Sequence, residues 1–180
     1  MLSEASGWIN HNNLYTPSSF LSPTKEVQQM STRKIYLGSD HAGFQLKQKI
    51  KQWLDKKKVP YQDLGDFALD TTDDYPDFAE KVALAAVKNK TFGILICGTG
   101  FGMCIAANKI RGARAVYIED LKEARLAREH NDANILCLSG WHAHFHKSVK
   151  LIEKFITTPF SKHPRHIRRL NKIKELDLHH

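Results

Sequence analysis

Long hydrophobic runs are missing from this chain of 180 residues. None approaches the roughly 20 apolar residues that a bilayer-spanning helix requires, so no membrane partner is expected. Cysteine is also scarce. Cys97, Cys104 and Cys137 are too few and too unevenly spaced for a disulfide framework or a standard zinc module, which fits a reducing, cytoplasmic setting. Acid is short relative to base, with 19 Asp and Glu against 27 Lys and Arg, a formal charge of +8. Aromatics do not interleave with the basic tail, and no zinc-finger or RNA-binding signature is present. The surplus therefore reads as complementary to a small anionic ligand, and no nucleic-acid partner is expected.

What is present begins at residue 33. Residues 1–32, rich in Ser, Thr and Asn, carry no sustained period and read as a flexible N-terminal extension outside the domain of residues 33–180. They lack the apolar core of a secretory signal, and their scarcity of Arg argues against a strong organelle presequence, leaving that role open. From there short apolar runs alternate with amphipathic segments. Expected strands cover residues 34–38, 61–64, 92–97, 114–117 and 135–139. Between them Leu46, Ile50, Trp53 and Leu54 line one helix face, and Phe78, Val82, Ala85 and Ala86 another. A short helix follows from Leu121 to Glu129, then one carrying Phe145, Val149, Ile152 and Ile156. The rhythm predicts an α/β fold, a parallel sheet covered by helices on both sides. A C-terminal crossover helix from near Pro164, with Ile167, Leu170, Ile173 and Leu176 at helical spacing, is placed to reach a partner subunit or to pack on its own domain.

The run GILICGTGFGM, residues 93–103, puts Cys97 at the end of an apolar strand, directly before a glycine-rich loop. Gly98, Gly100 and Gly102 permit a tight turn whose N–H groups converge on an anion, helped by the following helix. The loop lacks the Lys-hydroxyl pair of a P-loop, and a purely structural turn is the plain alternative. Cys97 itself is either a buried small hydrophobe or, beside several N–H groups, a thiol of lowered pKa that serves as a base. Cys104 and Cys137 read as core. Ligands gather beyond the carboxyl ends of such sheets, where Asp40 and His41 follow the first strand, Thr99 the third and Asp120 the fourth. His130 approaches from a helix end; both it and His41 serve equally as local caps. His142, His144 and His146, two apart, would spread around a helix and make no metal site. Arg165 and Arg169, four apart, face one way, either as a solvated face or as two forks for a phosphate.

Five separated motifs carry a family resemblance: GSDHAGF at 38–44, DYPDFA at 74–79, GILICGTGFGMCIAANK at 93–109, REHNDAN at 128–134 and RHIRR at 165–169. In this order they resemble the ribose-5-phosphate isomerase B family, which includes the galactose-6-phosphate isomerase subunits. The resemblance implies aldose-ketose isomerisation of D-ribose 5-phosphate and D-ribulose 5-phosphate, with allose 6-phosphate or galactose 6-phosphate as alternative substrates, and no metal or other cofactor. Cys97 would move the proton between C2 and C1, Thr99 would shuttle protons between the oxygens, and His130 with Asp40 would open the ring. N–H groups along Gly98, Gly100, Phe101 and Gly102 would hold the enediolate. His41, Arg165 and Arg169 would bind phosphate, and Tyr75 and Asn131 the sugar. The family implies a Rossmann-like three-layer sandwich with a five-stranded parallel sheet, and a homodimer, often paired into a tetramer, with the site between subunits. One departure stands out: Trp141 follows Gly140 where many members have arginine. A non-enzymatic sugar-phosphate sensor on the same fold is the competing class.

Overall fold

The computed structural model describes residues 33–179; the expected N-terminal extension lies outside the described residues. Five strands form one all-parallel sheet: β1 (Ile35–Ser39), β2 (Tyr61–Asp63), β3 (Gly93–Cys97), β4 (Ala115–Tyr117) and β5 (Ile135–Ser139). Six helices accompany them: α1 (His41–Lys57), α2 (Tyr75–Lys88), α3 (Phe101–Ala107), α4 (Leu121–Asn131), α5 (Phe145–Thr157) and α6 (Pro164–His179). The expected α/β sandwich is present, with each strand within a residue of its expected boundaries.

Both faces of the sheet are covered, which is why β1, β3 and β5 read as nearly continuous apolar runs and do not alternate. Ile35, Leu37, Ile94, Ile96, Leu136 and Leu138 pack with α1, α4 and α5. Tyr36, Leu95, Cys97, Ile135 and Cys137 pack on the opposite face with α2 and α3. Strand order is β2-β1-β3-β5-β4. The chain leaves β1 outward to β2 and returns across it to β3, so a crevice opens between the carboxyl ends of β1 and β3.

Helix α6 lies beneath the amino edge of the sheet. Its inner side buries His166 and Leu170, and the Asp177 carboxylate accepts the Gly112 N–H at 2.9 Å. Ile167, Leu176 and Leu178 remain exposed. Lys47 on α1 is fully buried, because its ammonium meets the Asp63 carboxylate at 2.9 Å and donates to the Asp66 carbonyl. One expectation changes. Of the three histidines imagined around one helix, His142 lies in a turn and His144 is the N-cap of α5, leaving only His146 within it.

Candidate active site

Cys97 ends β3 with its side chain nearly enclosed, at 4% exposure. The chain then turns through Gly98–Gly100 into α3, whose first residue is Phe101. N–H groups of Met103, Gly100 and Gly102 lie beside the thiol. The expected lowering of the thiol pKa does not follow. Burial pushes Cys97 up, the Asp40 charge adds to it, and the three N–H groups only partly offset them. Cys97 is thus a neutral thiol at rest near neutral pH.

The loop has little freedom. Gly100 sits at φ +84°, and a Cβ there would lie 2.6 Å from the Tyr117 ring. Side chains roof the other glycines: Trp141 covers Gly98 and Tyr75 covers Gly102, each closer than any added Cβ would allow. Backbone bonds from Gly140 to the Cys97 carbonyl (2.8 Å) and from Trp141 to the Gly98 carbonyl (3.1 Å) tie the loop to the end of β5, and the Ser139 hydroxyl donates to the same Gly98 oxygen at 2.7 Å. Thr99 Oγ1 accepts the Phe101 N–H at 3.3 Å, and the Phe101 ring stands edge-on to Tyr117 with 4.7 Å between centroids.

Across the crevice, Asp40 caps α1, accepting the Gly43 N–H at 2.9 Å. Burial, the largest cause, raises its pKa, with the neighbouring Asp73 acting in the same direction. His41 follows, and Asp73 holds it twice: one carboxylate oxygen takes the His41 N–H at 2.7 Å, the other meets ring Nδ1 at 2.5 Å. That hydrogen bond lifts the His41 pKa. Asp73 was missed in the sequence because it stands one residue before the DYPDFA motif and 32 residues from the ring it orients. Asp120, the remaining acid at this edge, is spent on an α4 capping box with Glu123.

The other expected site residues lie elsewhere. His130 and Asn131 end α4 beside the start of β5, where Arg114 grips the Asn131 and Asp132 carbonyls. Cys97 is at the far end of the neighbouring strand, about 13 Å along a five-residue strand, so Asp40 and His130 of one chain are not neighbours. The His130 ring stacks on His166, 4.3 Å between centroids, and His163 flanks His166 at 5.5 Å. His166 Nε2 accepts from Arg165 Nε at 3.1 Å, so its other nitrogen carries the proton, facing Ser161 Oγ at 2.7 Å. Burial, then His130 and Arg165, lowers the His166 pKa. Arg165 and Arg169 project from the exposed side of α6. His166 was missed because nothing in its own segment shows that α4 would bring it a second imidazole.

The site residues expected from the sequence thus form two groups, one at each edge of the sheet. Among the described residues no group of three His, Cys, Asp or Glu side chains is placed to hold a metal ion, and no helix is long and apolar enough to cross a membrane.

Known proteins resemble this chain in sequence and in fold. The model of the Ribose/Galactose Isomerase family matches residues 35–173. The chain is 44% identical over 140 residues to a probable ribose-5-phosphate isomerase B of Mycoplasma pneumoniae, covering 77% of this chain and 91% of that protein. It is 40% identical over 148 residues to the ribose-5-phosphate isomerase B of Mycolicibacterium paratuberculosis, covering 82% and 93%. The crystal structure of ribose-5-phosphate isomerase B from Mycoplasma genitalium with bound ribulose-5-phosphate superposes with a TM-score of 0.76 at 42% identity, covering 81% of this chain and 96% of that one. The type B enzyme from Trypanosoma cruzi gives a TM-score of 0.77 at 35% identity, covering 82% and 100%.

Proposed function

The chain belongs to the ribose/galactose isomerase family, and from that premise we propose that it interconverts D-ribose 5-phosphate and D-ribulose 5-phosphate through ring opening and an enediolate intermediate. The observation that carries this reading is the enclosed Cys97 thiol with three N–H groups beside it at the turn into α3.

After ring opening, the aldehyde acidifies the adjacent C2–H bond. Cys97, as thiolate, takes that proton; the C–H electrons form the C1–C2 double bond and negative charge collects on O1. N–H groups along Gly98, Gly100, Phe101 and Gly102 stabilise that oxygen. Thr99 relays a proton from O2 to O1, and Cys97 returns its own proton to C1, leaving the ketone at C2. Cys97 ends as the thiolate with which the step began, the resting thiol having first lost its proton to solvent. His41, held by Asp73, contacts the phosphate, and Tyr75 over Gly102 borders the sugar.

Ring opening and the remaining phosphate contacts fall to His130, Asn131, Arg165 and Arg169, which stand at the opposite edge of the same chain. A complete site therefore takes the carboxyl edge of one copy and the amino edge of another, in a homodimer that can pair further into a tetramer. The exposed Leu176 and Leu178 leave apolar surface near the end of α6 for that contact. NMR of ribose 5-phosphate in deuterated water tests the reading. Ribulose 5-phosphate formation with deuterium entering at C1 is expected, and preferential turnover of a hexose phosphate would replace the pentose assignment.

A further inference from the structure

A cleft of about 510 Å³ lies between the inner side of α6 and the amino ends of β3 and β4. It is strongly cationic: Arg33, Lys90, Arg114, Arg128 and Lys174 line it, against the carboxylates of Asp132 and Asp177. Neither carboxylate is free. Asp132 is divided between two guanidinium groups, 2.9 Å from Arg114 and 2.9 Å from Arg128, and Asp177 accepts the Gly112 N–H. Arg33, Lys90 and Lys174 have no carboxylate within salt-bridge distance among the described residues.

Arg128 is the most informative member. It is 6% exposed, with Nε on the Thr158 carbonyl and Nη1 on Asp132 and the Ala133 carbonyl. Its Nη2 makes no hydrogen bond among the described residues. Burial, and then the nearby Arg114 and Arg33, pull its pKa below the usual guanidinium value. An unspent donor on a nearly buried guanidinium, among cations that outnumber their counter-charges, favours a bound anion. The opposite wall is apolar, formed by Ile167, Leu170, Ile173 and Phe160. The volume falls within the usual range for organic ligands, about 300 to 1,000 Å³, and far exceeds what a bare phosphate fills.

We propose that this cleft is a second ligand site, taking a phosphate ester with a flat organic body of about the size of a nucleoside monophosphate. The phosphate meets Arg128, Lys90 and Lys174, and the organic body lies on the α6 wall. None of the proposed isomerase residues lines the cleft, although its Arg114 and Asp132 adjoin Asn131 at the end of α4. Cys97 is at the other end of β3, whose amino end adjoins the lining residue Phe92, and at helical spacing Arg165 and Arg169 project from the opposite side of α6 to Ile167, Leu170 and Lys174.

Amide NMR of the full-length protein, titrated separately with adenosine 5′-monophosphate and inorganic phosphate, tests this. The nucleotide is expected to move the Gly112 and Asn134 amides saturably, whether or not the loop at Gly98–Gly102 responds. Lys90→Glu with Lys174→Glu, both exposed side chains, should weaken that response at least tenfold while the melting temperature holds. The single substitution Lys174→Met should weaken it less. Movement confined to Gly98–Gly102, equal affinity for inorganic phosphate, or unchanged affinity in the double variant would each overturn the proposal. These readouts do not depend on turnover, so they stand or fall apart from the isomerase reading.

Discussion

The carboxyl edge of the sheet is built mainly from backbone, the amino edge mainly from side chains. At the first, N–H groups of Gly100, Gly102 and Met103 lie beside a thiol, and Gly100 and Gly102 are locked under Tyr117 and Tyr75. At the second, Arg114, Arg128, His130 and His166 crowd together, and Arg165 and Arg169 stand exposed on α6, Arg165 bonded to His166. The contrast matches the two tasks proposed for these edges. Stabilising charge that appears only in a transition state needs donors that do not reorganise, which a rigid backbone loop supplies. Grasping a phosphate across a subunit boundary needs reach, which arginine supplies.

The largest expected effect separates the edges by their chemistry. Cys97→Ala should lower kcat about 10³-fold, leaving the melting temperature near that of the parent, because it removes the base and little volume. In the parent, the raised thiol pKa predicts a rate that climbs about tenfold per pH unit on the alkaline side until the thiol has titrated; a pH-independent rate there would remove Cys97 as the base. Mixing the two edges comes next. Cys97→Ala and His130→Ala chains, each nearly inactive, should regain about a quarter of parental activity when refolded together, since half the random dimers hold one intact site. No recovery would confine each site to one chain.

A smaller effect concerns ligand affinity at the carboxyl edge. Asp73→Asn should raise the KM for ribose 5-phosphate about tenfold with a lesser change in kcat, because His41 loses its anchor. The sign with pH follows from the raised His41 pKa. The imidazolium, and its phosphate contact, persists above the ordinary histidine value and is lost as pH rises through the raised one. Asp73→Asn should move that rise in KM to lower pH, which a KM profile in the two proteins measures. Smallest is a stability effect: Gly100→Ala should cost about 2 kcal/mol by denaturant titration, because φ +84° and the Tyr117 ring both oppose a side chain there.

Much of this was legible in the chain. Buried parallel strands announce themselves as apolar runs, so Ile135–Ser139 was expected at its observed bounds and Gly93–Cys97 within one residue. Cys97 before three alternating glycines was equally visible, because a strand-to-helix turn is a local event. The thiol's raised pKa was not, since it depends on how deeply α2 and α3 bury the end of β3 and on an Asp40 that arrives from β1. The burial of Lys47 is hidden for the same reason: it depends on Asp63, 16 residues on, coming to meet its ammonium.

By itself, then, the sequence determined which segments are strands and helices, where the thiol and its glycine loop lie, and which basic and imidazole residues stand ready, because spacing and local propensity suffice for these. Only the tertiary structure decided who stands beside whom. The crossover order of the strands puts Asp40 next to Cys97 and sends His130 to the other edge, Asp73 folds back onto His41, and α6 brings His166 onto His130. Those pairings are long-range contacts fixed by packing the whole sheet between its helices, and no single segment encodes them.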